Sequence, residues 1–423
     1  MNFLTNKNDS RKMIFNTIVC LSILCIIYFL HYFKPVAFVY LIAEDSWGEY
    51  ATFACYLLAF VLMIWAMKLD RNLLKPGYIL MALMLFFIGM EEISWGQRLL
   101  GIETPEVIGR VNAQTETNLH NVIRLPLLTI FCYVVLIWVI ILPIMGLKLK
   151  SVQKWIGILS VPTVPPYQIP YFVLCLFFYF LKPVAKSDEI IELLLGVAFV
   201  SLASDILLKV LEKDSSRWKM SQTVTTCYLM SIIMVITSVF IFVRPNPNAF
   251  KKRFYWMAAI NYPEKGLYSQ AEELFIYMLN NKQLKTPETL LEYGVFLKKI
   301  NRDRADAIFG KALEEQYQRM KDEPDQPGIH RTAGKILNLL NKKDQAQLEF
   351  QKSLEKDELR LKKVQIDDEK FWPLRSMGET YFEMEDYNSA LNRFQEAYRL
   401  TAASHQQKQI QEWIDQIETK RNH

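Results

Sequence analysis

Residues Arg375–Leu400 read RSMGETYFEMEDYNSALNRFQEAYRL. With Gly378 as origin, Tyr381 stands at +3, Ala390 at +12, Phe394 at +16 and Ala397 at +19. Steps of three and four within each half mark one face of a helix, and Glu385-Asp386 supplies a break between the halves. Two antiparallel helices approach closely only where small residues meet at the crossing. Gly378, Ala390 and Ala397 therefore read as the contact line, with Tyr381 and Phe394 filling the space toward the next hairpin.

The same offsets recur upstream. They select Ala259, Tyr262, Ala271, Phe275 and Met278, then Tyr293, Phe296, Ala305, Phe309 and Ala312, then Gly334, Leu337, Ala346, Phe350 and Ser353. The intervals between origins are 34, 41 and 44 residues, so the longer ones predict extended helices or loops near 320–330 and 355–372. Turn residues stand where hairpins need them, at Glu264-Lys265-Gly266, Asn301-Arg302-Asp303 and Asn341-Lys342-Lys343-Asp344. Residues 404–419 predict a terminal capping helix anchored by Ile410, Trp413 and Ile417.

This pattern resembles tetratricopeptide repeats, most closely in the last copy. The resemblance implies an α-solenoid over 246–423 whose concave surface takes a protein or peptide partner.

Residues 1–245 are of another kind. They hold 20 Lys/Arg and 16 Asp/Glu among long apolar runs, whereas 246–423 hold 29 and 28 without any run long enough to span a bilayer. A span needs ~20 mostly apolar residues. Seven runs approach that length, at 13–31, 47–67, 76–93, 125–147, 166–183, 189–209 and 221–243. The fold class expected is all-α, a polytopic helical membrane domain over 1–245 followed by the repeat domain. Residues 35–43 are too short to cross.

Lysine and arginine cluster before the first run, between the second and third, after the fourth and between the sixth and seventh. By the positive-inside rule this puts the N-terminus in the cytoplasm and the C-terminal domain outside. The opposing signal is Arg244, Lys251, Lys252 and Arg253 after the seventh run.

In this topology the acidic features share one face: Glu44, Asp45 and Glu49, then Glu91 and Glu92, then Asp188, Glu189 and Glu192. Glu91 and Glu92 open the segment that continues through Trp95, Gln97 and Arg98 to Asn112, Gln114, Glu116, Asn118, His120 and Asn121. Ionisable groups at a bilayer edge are costly unless paired or wetted, so their crowding marks a candidate site. Glu91, Glu92, Glu116 and His120 are the candidates for chemistry. Gln97, Arg98, Asn112, Gln114, Asn118, Glu44 and Asp45 are the candidates for binding a lipid headgroup or sugar. The plain alternatives are a helix end reaching the headgroups, an interfacial Trp95, and amides satisfying loop backbone. Adjacent acids on a helix sit ~100° apart, so Glu91 and Glu92 should face different partners. Asp205 and Lys209, one turn apart, predict an ion pair.

The segments EEISWGQR (91–98), TPE (104–106) and NAQTETNLHN (112–121) resemble a family of uncharacterised bacterial multi-span membrane proteins. That resemblance implies no activity. Seven spans with acidic and histidine segments are also similar to the alkaline ceramidase and adiponectin receptor hydrolases. Those bind zinc through several histidines, and only His31 and His120 occur before residue 246. No metal or cofactor is expected.

The net charge of +5 lies mostly in the apolar half, leaving about +1 in the repeats and no basic footprint for nucleic acid. All six cysteines lie in or beside apolar runs and form no paired motif. Two function classes remain: a membrane-held protein-interaction module, and a membrane enzyme or carrier acting on a lipid or envelope precursor. The bilayer is the one certain partner; oligomeric state has no signature.

Overall fold

The structure is a computed structural model that describes residues 7–43, 46–96, 127–142, 148–160, 162–213, 247–401 and 404–421, with Met145 and Ile233 as isolated positions. Among the described residues all regular structure is helical. They divide into two compact units. One comprises those up to Met257 with Glu264–Gln270; the other comprises Ala258–Pro263 and those from Ala271 onward.

The first unit contains α1 (Lys7–Phe33), α2 (Pro35–Ile42), α3 (Trp47–Leu69), α4 (Pro76–Glu92), α5 (Leu127–Leu136), α6 (Lys150–Leu159), α7 (Ile169–Leu181), α8 (Ser187–Lys213) and α9 (Pro247–Trp256). The two helices in most extensive contact are α3 and α8. They run parallel: Gly196 faces Cys55 and Tyr56, and Phe199 lies 6.1 Å from Tyr56. A Cβ on Gly196 would fall 2.8 Å from the Cys55 Cβ, so glycine permits the approach. Helix α4 returns antiparallel to α3, with Phe60 5.3 Å from Phe86, and α7 runs antiparallel to α8, with Phe172 6.2 Å from Phe199. These directions place the end of α1, the start of α3, the end of α4 and the start of α8 at one end of the bundle.

Around this centre the outward faces are apolar. Ile14, Ile18, Leu21, Ile26 and Phe29 of α1, Leu80 and Leu83 of α4, and Val61, Ile64 and Trp65 of α3 are all exposed. In water such stripes would drive aggregation; against lipid they cost nothing. Three helices are long and apolar enough to cross a membrane: Asp9–Phe33, Trp47–Leu69 and Ser187–Glu212.

The seven spans expected are thus corrected to three among the described residues. Helix α4 starts at Pro76, where the run starts, and ends at Glu92 before the Ser94–Gly96 turn, giving 17 residues. The short apolar helix at Pro166–Leu181 begins at prolines and is stopped by a left-handed Lys182. Helix α5 passes into a π turn, Ile137–Ile141, and the run 221–243 lies outside the described residues except for Ile233. Helix α2 does not cross; its Phe38, Val39 and Ile42 are buried.

The second unit is a succession of hairpins. After a π turn at Met257–Asn261 come α10 (Tyr268–Asn280), α11 (Pro287–Lys298), α12 (Arg302–Asp322), α13 (Pro327–Leu339), α14 (Lys343–Lys363), α15 (Asp367–Glu383), α16 (Tyr387–Leu400) and α17 (Ser404–Arg421). Helices α11 and α12, α13 and α14, and α15 and α16 form the pairs, and each pair touches the next.

A glycine sets each crossing. Gly334 lies against the Phe350 ring and Gly378 against Phe394, where a Cβ would come within 2.5 and 2.7 Å. In α11 the residue in this role is Gly294, beside Phe309, and not Tyr293. The interval from glycine to phenylalanine is 15 residues there (294 to 309) and 16 in the others (334 to 350, 378 to 394). Helix α11 ends sooner after its glycine, so uniform offsets land one residue early. Tyr293 instead turns its hydroxyl to Glu272 at 2.9 Å. Phe309, Phe350 and Phe394 are fully buried, and truncating any to alanine should cost about 3–5 kcal/mol.

The turns carry their own chemistry. Asn301 accepts from the Arg304 amide at 3.1 Å and Asp386 from the Ser389 amide at 3.1 Å, each capping the following helix. Asn341 and Glu385 take left-handed φ of 60° and 62°, and the next amide closes back to the carbonyl of Leu337 or Tyr381. The long repeat intervals are absorbed by α12 and α14, of 21 residues each. Ile410 and Ile417 of α17 are buried, and Trp413 stacks on Phe394 at 5.6 Å.

Candidate functional site

Three places concentrate polar side chains, two in the first unit and one in the second. In the first unit, three chain segments bring carboxylates to the same end of the bundle. Glu49 comes from the first turn of α3, Glu91 and Glu92 from the end of α4, and Asp188, Glu189 and Glu192 from the start of α8. Glu92 lies within electrostatic reach of Glu49, Glu91, Glu189 and Glu192.

The two adjacent acids turn to different partners. Glu91 is buried and accepts from the Trp95 indole N–H at 2.5 Å; Glu92 and Glu192 both act on buried Tyr56. Trp95 also meets Phe87 edge to face at 5.4 Å. The cations paired with the cluster are Lys186, 3.7 Å from Asp188 and 3.8 Å from Glu189, and Arg253, 3.6 Å from Glu189. Crowded carboxylates of this kind suit an amine or cation, or shared protons.

The backbone there is strained. Ser94, Trp95 and Gly96 have consecutive φ of 50°, 55° and 77°, the left-handed region that costs a residue with a Cβ about 1 kcal/mol. The turn directly follows α4 and aims Trp95 back at Glu91.

Of the residues singled out in the sequence, Glu91 and Glu92 fall in this cluster. Glu44, Asp45, Gln97, Arg98, Asn112, Gln114, Glu116, Asn118 and His120 lie outside the described residues. Among the described residues no three His, Cys, Asp or Glu side chains are arranged to hold a metal ion.

Sequence reasoning missed a buried polar network at the other end of the bundle. The Asn16 amide donates to the Tyr167 carbonyl at 2.6 Å, and the Tyr171 hydroxyl donates to Asn16 Oδ1 at 3.3 Å. The Tyr167 hydroxyl donates to Asp205 Oδ1 at 2.6 Å, Lys209 Nζ lies 2.7 Å from Asp205 Oδ2, and Lys12 Nζ sits 4.9 Å above the Tyr167 ring. Gln168 donates to the Ser201 carbonyl at 3.1 Å. Only the Asp205–Lys209 pair was visible as a spacing. The available signal for the rest was Asn16 inside an apolar run and Gln168 between prolines.

In the second unit the first helices of successive hairpins are tied edge to edge. Arg331 of α13 pairs with Glu379 of α15 at 2.7 Å, and Lys335 with Glu383 at 3.1 Å. Arg375 holds Glu379 at 2.9 Å and reaches Gln409 of α17 at 3.0 Å. Glu292 of α11 lies in the field of Lys335 and Glu383; burial raises its pKa and Lys335 opposes the rise. In the second hairpin Arg304 binds Glu272 at 2.5 Å and pulls that carboxyl's pKa down, while burial and Glu272 push the Tyr293 hydroxyl up to about 12.

Gly378, Ala390, Phe394 and Ala397 are buried within one core with Ile410 and Ile417, and Tyr381 packs on it half-buried. They build the hairpin and leave its surface to the charged ladder. No protein-family model matches this chain, and no curated protein is significantly similar to it.

Proposed function

We propose that the chain is a multi-pass membrane protein whose tetratricopeptide-like repeat domain, a solenoid over 246–423, holds a protein or peptide partner in the cell envelope. The carrying observation is the side-by-side row of α13, α15 and α17, joined by Arg331–Glu379, Lys335–Glu383 and Arg375–Gln409. Arrays of first helices of this kind build the extended concave surface of helical repeats. Their charges pair mostly with one another. A partner would therefore be chosen by shape and by exchange of these pairs, not by a single sign of charge.

The basic ends of the described helices, with Lys12, Lys68, Arg71, Lys75 and Lys209, then face the cytoplasm of a bacterial inner membrane. The acidic end and the repeats belong to the periplasmic side.

Photo-crosslinking residues placed at Val295, Lys335 and Glu383, and for comparison at Lys311 and Gln318 of α12, test this in living cells. A discrete adduct from the first set alone supports a partner on the first-helix face. Equal adducts from both sets, or none from either, refute it. A reporter fused after His423 and active only in the periplasm checks the sidedness; cytoplasmic activity would remove the envelope placement.

A second reading is favoured by the carboxylate cluster beside the strained Ser94–Gly96 turn: an enzyme or carrier for a lipid or envelope precursor. It requires that Glu91→Gln or Glu92→Gln abolish the cellular role while loss of the repeats is tolerated. The interaction reading requires the reverse.

A further inference from the structure

Helix α6, Lys150–Leu159 (KSVQKWIGIL), contains no buried residue. At ~100° per residue, Val152, Trp155, Ile156, Ile158 and Leu159 share one half of its circumference, and Lys150, Gln153, Lys154 and Gly157 the other. The apolar half is left open: Trp155 is 61 % exposed, Ile158 53 % and Leu159 44 %. Ten residues are too few to cross a bilayer.

Its place in the unit is defined by contacts at its C-terminal end. The carbonyls of Leu159 and Ser160 lie within 2.7 and 2.5 Å of where a Cβ on Gly77 would stand, so the helix ends against the start of α4. Just beyond, the Trp138 indole N–H donates to the Pro162 carbonyl at 2.7 Å. Helix α6 therefore sits at the bundle end that carries Lys12, Lys75 and Lys209, opposite the carboxylate cluster.

We infer that α6 is an interfacial helix that seats Trp155, Ile158 and Leu159 in the headgroup layer of a bilayer containing anionic lipid. The argument rests on charge complementarity and continuity with the membrane-crossing helices. Lysines on the polar half face anionic headgroups, a tryptophan marks the boundary between water and hydrocarbon, and the helix is attached where the bundle meets that boundary. The inference rests on the membrane reading of the first unit and adds to it a lipid-binding surface outside the spans.

The test uses the unmodified full-length chain in nanodiscs of phosphatidylglycerol and phosphatidylcholine. A phospholipid with a photoactivatable group near the headgroup labels whatever touches that layer, a second with the group deep in the acyl chain labels the spans, and adducts are mapped by mass spectrometry. Adducts at Trp155, Ile158 and Leu159, with none at Gln153 or Gly157, are expected. Their yield should fall on the order of threefold in pure phosphatidylcholine or in K150Q/K154Q. Labelling of Leu21 and Val61 by the deep probe without labelling of α6 overturns the inference alone. Failure to label Leu21 and Val61 overturns the membrane reading, and the inference with it. Equal labelling of both faces of α6 refutes an oriented interfacial helix.

Discussion

The Tyr167 hydroxyl donates to Asp205 Oδ1 at 2.6 Å, joining the turn before α7 to the far part of α8 across 38 positions of sequence. Both residues are buried, whereas Lys209, the carboxylate's other partner, is 57 % exposed. Tyr167→Phe leaves a buried acceptor without its donor and should destabilise the detergent-solubilised chain by about 1–3 kcal/mol. Lys209→Ala removes a solvent-screened partner and should cost less than about 1 kcal/mol. Thermal unfolding of the two variants decides: an equal or larger loss from Lys209→Ala would mean that the ion pair, not the tyrosine, holds the site.

Gly334 and Gly310 make a matched pair of glycine-to-alanine tests. A methyl group at 334 meets the buried Phe350 ring at 2.5 Å, while one at 310 meets nothing within 4 Å. Gly334→Ala should destabilise the repeats by about 1–3 kcal/mol through overpacking. Gly310→Ala, on an open helix face, should stabilise by up to about 1 kcal/mol. Hydrogen exchange across α12–α14 reads both, and the same sign for both would contradict the crossing geometry.

Glu385 holds a left-handed φ of 62° at the turn between α15 and α16 without the benefit of being glycine. Glu385→Gly should relieve that strain and slow local opening of the hairpin, a gain of about 0.5–1 kcal/mol. Faster exchange of the Asp386 amide, which closes the turn onto the Tyr381 carbonyl at 3.0 Å, would count against this account.

Asp357 is fully buried in α14, and burial is the main reason its pKa is raised from 3.8 to about 6; Ser376, Arg331 and Arg360 oppose the rise. A carboxyl whose folded value lies above its unfolded one favours folding when protonated. Its contribution is complete below about pH 4 and is lost as pH rises through about 6. The shift corresponds to at most about 3 kcal/mol. Asp357→Asn should be more stable than the parent at pH 7 and level with it near pH 4. Parallel stability curves over that range would show that Asp357 does not titrate as argued.

Much of the second unit's hairpin structure was legible because its determinants are local. Helical spacing of Gly378, Tyr381, Ala390 and Phe394, capping by Asn301 and Asp386, and the anchoring of α17 all follow from residues a few positions apart. The register of the second hairpin was not legible. Offsets count residues, whereas the crossing is set by where α11 ends, and only packing against Phe309 distinguishes Gly294 from Tyr293.

The sequence by itself determined that the described segments of the first half are apolar helices with carboxylates crowded at one set of helix ends, because burial preference and charge placement are written residue by residue. Tertiary structure alone decided which helices are long enough to cross, and it alone assembled Asn16, Tyr167, Tyr171 and Asp205, drawn from three separate segments, into one hydrogen-bonded network. It also turned Glu91 to Trp95 and Glu92 toward Glu192. A hydrogen bond is fixed by distance and direction in space, and neither quantity is a function of separation along the chain.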